Sequence, residues 1–208
     1  MKKYSVLFAV AVFLFSCHSE IESPDSILQR LSNASTTSSS SEAVAYQVLT
    51  NLDFSGGVLA PWEKSFGSLL GTDQGTIKTV DNSPYGYDAL FTPSKKEKED
   101  WDLQLIQRNL DIKPGYSYKF VFGGNAPKGG TAPVAFVLMN CKTESNCEDY
   151  KKWTVSLSLN YVDFENLEIW KNCSETNPKA TFVISGGKST VEFKIAWISI
   201  WAEPVSCP

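Results

Sequence analysis

The sequence predicts an all-β domain built as an antiparallel sandwich, and three observations carry that reading. Short apolar–polar alternations recur between breaks rich in Gly, Pro, Asn and Asp, the pattern of strands joined by turns. No stretch sustains an apolar period of 3.6 residues, so amphipathic helices are not expected. The chain left after a low-complexity segment is roughly 160 residues, enough for one domain with a sizeable core.

The first element is a leader. Lys2 and Lys3 precede an unbroken apolar run over residues 6–15, shorter than the roughly 20 residues a membrane-spanning helix needs. A basic flank followed by a short apolar run marks residues 1–16 as an export signal. Leu14-Phe15-Ser16-Cys17 resembles the lipobox of bacterial lipoproteins, with Phe15 bulkier than that pattern usually carries. The resemblance implies a lipid, palmitate included, on Cys17. It also implies a bacterial cell-envelope location, at the outer membrane or cell surface. Residues 17–45 read as a Ser/Thr-rich tether, because Ser32-Asn33-Ala34-Ser35-Thr36-Thr37 and the serines after it have too little apolar surface to bury. Residues 46–208 form the expected folded domain.

Composition excludes some partners. Formal net charge is −4, and about −6 once Lys2 and Lys3 are removed (17 basic against 23 acidic residues). No basic block interrupts the chain, so nucleic acid is not an expected partner. Aromatic residues make up 12% of the sequence, with six Trp and eight Tyr, a supply that serves cores and binding surfaces alike.

Strands are expected over 46–54, 75–81, 87–92, 101–109, 117–123, 133–140, 152–160, 166–170, 180–185 and 190–201. Alternation is clearest where Trp153, Val155, Leu157 and Leu159 share one face and Thr154, Ser156, Ser158 and Asn160 the other. In the last strand Val191, Phe193, Ile195 and Trp197 line one side before the pattern blurs. The strand end is then either buried on both faces or shifted by a bulge.

Of five cysteines, Cys17 is assigned to the anchor and four remain, all late in the chain. Cys141 and Cys147 are close enough that a short closing loop favours their pairing, which leaves Cys173 with Cys207. Four cysteines allow three connectivities. The spacings lack a zinc knuckle, and an exported protein meets an oxidising compartment, so disulfides are expected and a metal is not.

Catalytic patterns are sparse. The only histidine is His18, far from the domain, which removes Ser-His-Asp, Cys-His and histidine–metal arrangements from the folded part. No phosphate-cradling GxGxxG or GxxxxGK(S/T) motif occurs. A glycosidase needs only two carboxylates, but the acidic residues fall mostly in loops without an ordered pair on one strand face.

One segment is more specific. Trp101-Asp102-Leu103-Gln104-Leu105-Ile106-Gln107 leads to Leu110-Asp111-Ile112-Lys113-Pro114-Gly115-Tyr116-Ser117-Tyr118-Lys119-Phe120. It resembles the carbohydrate-binding modules of families four and nine, together with an opening Asn51-Leu52-Asp53-Phe54, Gly57 and Trp62 and a closing Phe193 to Ile200. The resemblance covers about residues 50–201. It implies a jelly-roll sandwich of the galactose-binding type that holds glycan without cleaving it. An aromatic followed three residues later by an amide or carboxylate contacts sugar in that family, and Trp101 and Gln104 fit those positions. Strand parity adds Asp102 and Arg108, while Trp62, Tyr85 and Tyr87 in turn-rich segments are second-tier candidates. A structural calcium is common there, but Ser55 and Ala196 stand where the family has acids, so no cofactor is expected.

The resulting expectation is a lipid-anchored, non-catalytic protein binding a polysaccharide of β-glucan or xylan type, and holding it for separate glycan-degrading enzymes. A structural or adhesion lipoprotein with a protein partner is the alternative. A small glycan-active hydrolase is the third.

Overall fold

The computed structural model describes residues 43–207 except 68, 70–72, 83–85, 96–98, 144–145 and 175, and only the backbone of 142–143, 164–170 and 177–178. The predicted leader, the anchor Cys17 and most of the tether lie outside the described residues.

Eleven strands are described: β1 (Tyr46–Gln47), β2 (Glu63–Ser65), β3 (Thr76–Asp81), β4 (Tyr87–Thr92), β5 (Gln104–Ile112), β6 (Tyr116–Asn125), β7 (Ala132–Thr143), β8 (Asn146–Leu157), β9 (Val162–Asn172), β10 (Asn177–Ser185) and β11 (Phe193–Pro204). They form two sheets. The six-stranded one runs β3-β4-β11-β6-β9, with β1 also paired to β11; the five-stranded one runs β2-β5-β10-β7-β8. All pairs are antiparallel, and the two sheets make a jelly-roll sandwich.

The core lies between the sheets because alternate residues of each strand point inward. Phe120 and Phe122 from β6 meet Phe136 from β7 and Phe182 from β10, all fully buried. Ring centroids stand 4.9 Å apart for Phe120–Phe136 and 5.5 Å for Phe120–Phe182. Trp153 stacks on Phe120 at 5.3 Å, the inward place that alternation in β8 assigns it.

The structure departs from the sequence reading at several elements. The segment 46–54 pairs as a strand only over Tyr46–Gln47, and Asn51 and Phe54 take positive φ of 50° and 52°. Strand β2 carries no apolar alternation, which is why it was not legible. Leu159 falls beyond the end of β8 and is exposed. In β11 the register shifts between Ile195 and Trp197. Phe193 and Ile195 face the core before the bulge, and Ile198, Ile200 and Ala202 after it. Trp197 therefore leaves the core parity. Its indole N–H donates to the Tyr161 hydroxyl, and both side chains lie against Gly123.

Cys141 and Cys147 are bonded across the β7–β8 hairpin, where they are paired residues of the ladder. β7 continues past Cys141 to Thr143, and β8 begins at Asn146, before Cys147. Cys173 and Cys207 are bonded over a separation of 34 residues, tying the C-terminal tail beside β9. Reduction is expected to cost about 2 kcal/mol for the short ring and about 4 for the long one by loop entropy. Calorimetry with and without reductant on wild type, Cys141→Ser/Cys147→Ser and Cys173→Ser/Cys207→Ser separates the two.

The turn between β5 and β6 shows how local sequence sets the hairpin. Gly115 supplies the positive φ, 81°, that follows Lys113-Pro114. The Tyr118 hydroxyl accepts from the Lys113 N–H at 2.7 Å and donates to its carbonyl at 3.0 Å, clamping the turn. Burial holds the Tyr46, Tyr118 and Tyr161 hydroxyls above the ordinary phenol value of 10.0. Phenolates thus form in the unfolded chain at lower pH than in the fold. Their contribution is fully present below about pH 10 and lost as pH rises beyond it. The melting temperature is expected to be level below pH 10 and to fall above it, with a shallower fall in Tyr161→Phe.

Candidate functional site

The outward face of the five-stranded sheet carries a groove of about 450 Å³. Cross-strand register arranges its lining in rows. Ser65, Gln104 and Ser185 are successive partners across β2, β5 and β10. Ile106, Val183, Val137 and Lys152 are partners across β5, β10, β7 and β8, and Thr181, Met139 and Asp149 form the next row.

The loop before β5 closes one end. Glu99 caps a single turn of 3-10 helix over Asp100–Asp102. The turn is docked by Gly186 N–H donating to Leu103 O at 2.9 Å and Gly187 N–H to Asp100 O at 3.4 Å. A Cβ at Gly187 would strike the Glu99 carbonyl, so glycine permits that approach. Asp100 pairs with Lys152 at 2.9 Å and Lys188 at 3.5 Å. This turn holds Trp101 over the groove with its side chain 55% exposed, beside Gly67, where a Cβ would come within 3.1 Å of the indole.

Of the sequence-predicted residues, Trp101, Gln104 and Arg108 come together in the groove lining. Gln104 donates through Nε2 to Ser185 Oγ at 3.0 Å, and Arg108 Nε to Glu63 Oε2 at 3.0 Å.

Asp102 does not join them. The strand starts at Gln104, so parity does not extend back to it. Asp102 is buried, and its Oδ2 accepts from the Glu99 N–H at 3.0 Å, which makes it the lock of the turn. Trp62 is likewise a core residue. It is 5% exposed, lies 6.1 Å from Phe54 and 6.5 Å from Phe182 between centroids, and donates through Nε1 to Asn51 O at 3.1 Å. Tyr87 is half-buried at the start of β4 in the other sheet, with its ring against Gly57. Tyr85 lies outside the described residues.

Strand parity puts Ile106 on the outward face with Gln104 and Arg108, but sequence reasoning missed the rest of the groove floor, Val137, Val183 and Met139. The run Phe182-Val183-Ile184 hides parity, because apolar residues occupy both faces. Only Thr181 and Ser185 flanking it signal that the odd positions face out.

Ser55 and Ala196 occupy the positions where the resemblance places acidic calcium ligands. Asp53 Oδ1 is engaged by the Ser55 N–H at 3.1 Å. No group of three His, Cys, Asp or Glu able to hold a metal occurs among the described residues.

Chemically, the groove offers one exposed indole for stacking, an amide and hydroxyls for directional hydrogen bonds, and an apolar floor. Asp100 pairs with Lys152 and Lys188, Glu63 pairs with Arg108, and Asp149 adds a second carboxylate to the lining.

No family model matches this sequence, and no curated protein matches it significantly. Solved structures share the fold. A family 4 carbohydrate-binding module (CBM4) is 13% identical with a TM-score of 0.55, over 76% of this chain and 95% of that one. The CBM22-1 xylan-binding domain from Paenibacillus barcinonensis Xyn10C is 8% identical with a TM-score of 0.57, over 80% and 100%. A Stig cyclase, Fisc from Fischerella sp. TAU, solved with an indole-bearing ligand, is 12% identical with a TM-score of 0.56, over 78% and 100%. At such identities the likeness concerns the fold, and binding modules and an enzyme alike use it.

Proposed function

We propose that this protein binds a polysaccharide of β-glucan or xylan type without cleaving it, in the groove on the five-stranded sheet. The observation that carries the reading is Trp101, an exposed indole placed by a braced turn beside the Gln104–Ser185 hydrogen-bonding row. A pyranose ring has an apolar C–H face and a rim of hydroxyls, so it needs a flat aromatic and an amide or hydroxyl within reach. The similarity in fold to a CBM4 and to a xylan-binding domain supports the reading.

In this reading Cys17 carries lipid and the Ser/Thr-rich segment holds the domain off the membrane. Two or more acyl chains give stable anchoring. The domain then keeps glycan at the cell surface for separate enzymes. Cys17→Ser is expected to move the protein from the membrane to the soluble fraction and to abolish palmitate labelling. Unchanged fractionation would contradict the anchor.

Affinity electrophoresis against cellulose derivatives, mixed-linkage glucan, xylan and mannan tests the binding. Retardation by at least one polymer is expected. None, from folded protein, turns the reading to a protein partner, and release of reducing ends turns it to an enzyme.

A further inference from the structure

The groove floor narrows the ligand further. Ile106, Val183 and Val137 are direct cross-strand partners on β5, β10 and β7, and with Met139 they form an apolar cluster separate from the core between the sheets. They lie on the outward side of the sheet, where alternation calls for polar residues, at the base of the groove and only 3–7% exposed. Strands lie about 4.8 Å apart, so the strip is about 10 Å across. Polar groups flank it on both sides, Gln104 and Ser185 along one row and Thr181 and Asp149 along the other, where Met139 lies between them.

Branched aliphatic side chains have neither an aromatic face nor hydrogen-bonding groups. A sugar hydroxyl turned toward them loses its water and gains no partner, whereas a methyl group gains by leaving water. The two cations in the lining, Arg108 and Lys152, are held by Glu63 and Asp100 at 3.0 and 2.9 Å, so no unpaired cation waits for a uronate. An ester carbonyl above the strip would meet donors on the Gln104 amide and the Ser185 hydroxyl. Resting on the polysaccharide reading above, we propose that this groove selects an O-acetylated polysaccharide. The acetyl methyl seats on the Ile106–Val183–Val137 strip, and its carbonyl faces the Gln104 row.

The test uses matched polymers: O-acetylated xylan and O-acetylated glucomannan, each beside its alkali-deacetylated twin, titrated calorimetrically onto the folded domain. The acetylated member is expected to bind about three- to fivefold more tightly, the worth of one buried methyl. Val183→Thr keeps the volume but adds a hydroxyl. It should erase that preference, so that the two members of each pair bind alike. Val137→Thr serves the same purpose if Val183→Thr fails to fold. Equal or weaker binding of the acetylated polymer overturns the acetyl assignment and leaves polysaccharide binding standing. Persistence of the preference in both variants also overturns it. Binding to no member of either pair, by protein with native near-ultraviolet dichroism, overturns it together with the reading it rests on.

Discussion

Trp101→Ala is expected to lower affinity for the bound glycan by about thirtyfold or more, roughly 2 kcal/mol, the loss typical of a central aromatic anchor. The melting temperature should stay nearly unchanged. The indole is more than half exposed, and the turn beneath it is held by other groups: the Asp102 carboxylate on the Glu99 N–H, the Gly186–Leu103 bond and the Asp100–Lys152 pair. Surface truncations away from packed contacts usually stay within about 0.5 kcal/mol of neutral. Paired binding and thermal-melt measurements decide the matter. Weak binding together with a large loss of stability would show the indole to be a packing element.

Trp62→Ala is expected to do the reverse. The side chain is 5% exposed and packs against Phe54 and Phe182 in the main core. Removing it takes away a large apolar surface and leaves a cavity, at a cost of about 3–5 kcal/mol. It also orphans the Asn51 carbonyl that the indole N–H satisfies. For a domain whose total stability is on the order of 5–15 kcal/mol, that is a substantial fraction. Denaturant unfolding should show a lower midpoint with unchanged slope. At temperatures where the variant is folded, glycan affinity should stay close to wild type, because Trp62 lies outside the groove lining. Loss of affinity in a stably folded variant would return Trp62 to the binding surface.

This contrast shows how far sequence reasoning reached. Composition and alternation were enough for the sandwich, because a half-buried strand writes its inside and outside into successive residues, as in Trp153 to Leu157. They failed where that rule is suspended. β2 is three polar residues with no apolar face to read. The β11 bulge moves Trp197 to the opposite face from the one that counting predicts, since one extra residue reverses every later side chain. The turn at Asp100–Asp102 breaks parity just before β5, so Asp102 became a lock while Gln104 and Arg108 kept their outward places.

The candidate site was legible on β5 and silent elsewhere. The turn before β5 and β5 itself bring Trp101, Gln104, Ile106 and Arg108 together in sequence, whereas the rest of the floor comes from β7 and β10, distant in the chain and joined by register alone. Trp62 and Trp101 are indistinguishable as letters between turn residues. What separates them is which side of the sheet the backbone gives them.

The most direct test is a heteronuclear NMR titration of the domain with short oligosaccharides of whichever glycan retards it most. Shifts concentrated on Trp101, Gln104, Val183 and Ser185, saturating together, are the predicted result. Shifts gathered instead around Tyr161 and Trp197 on the six-stranded sheet, with the groove unmoved, would contradict it.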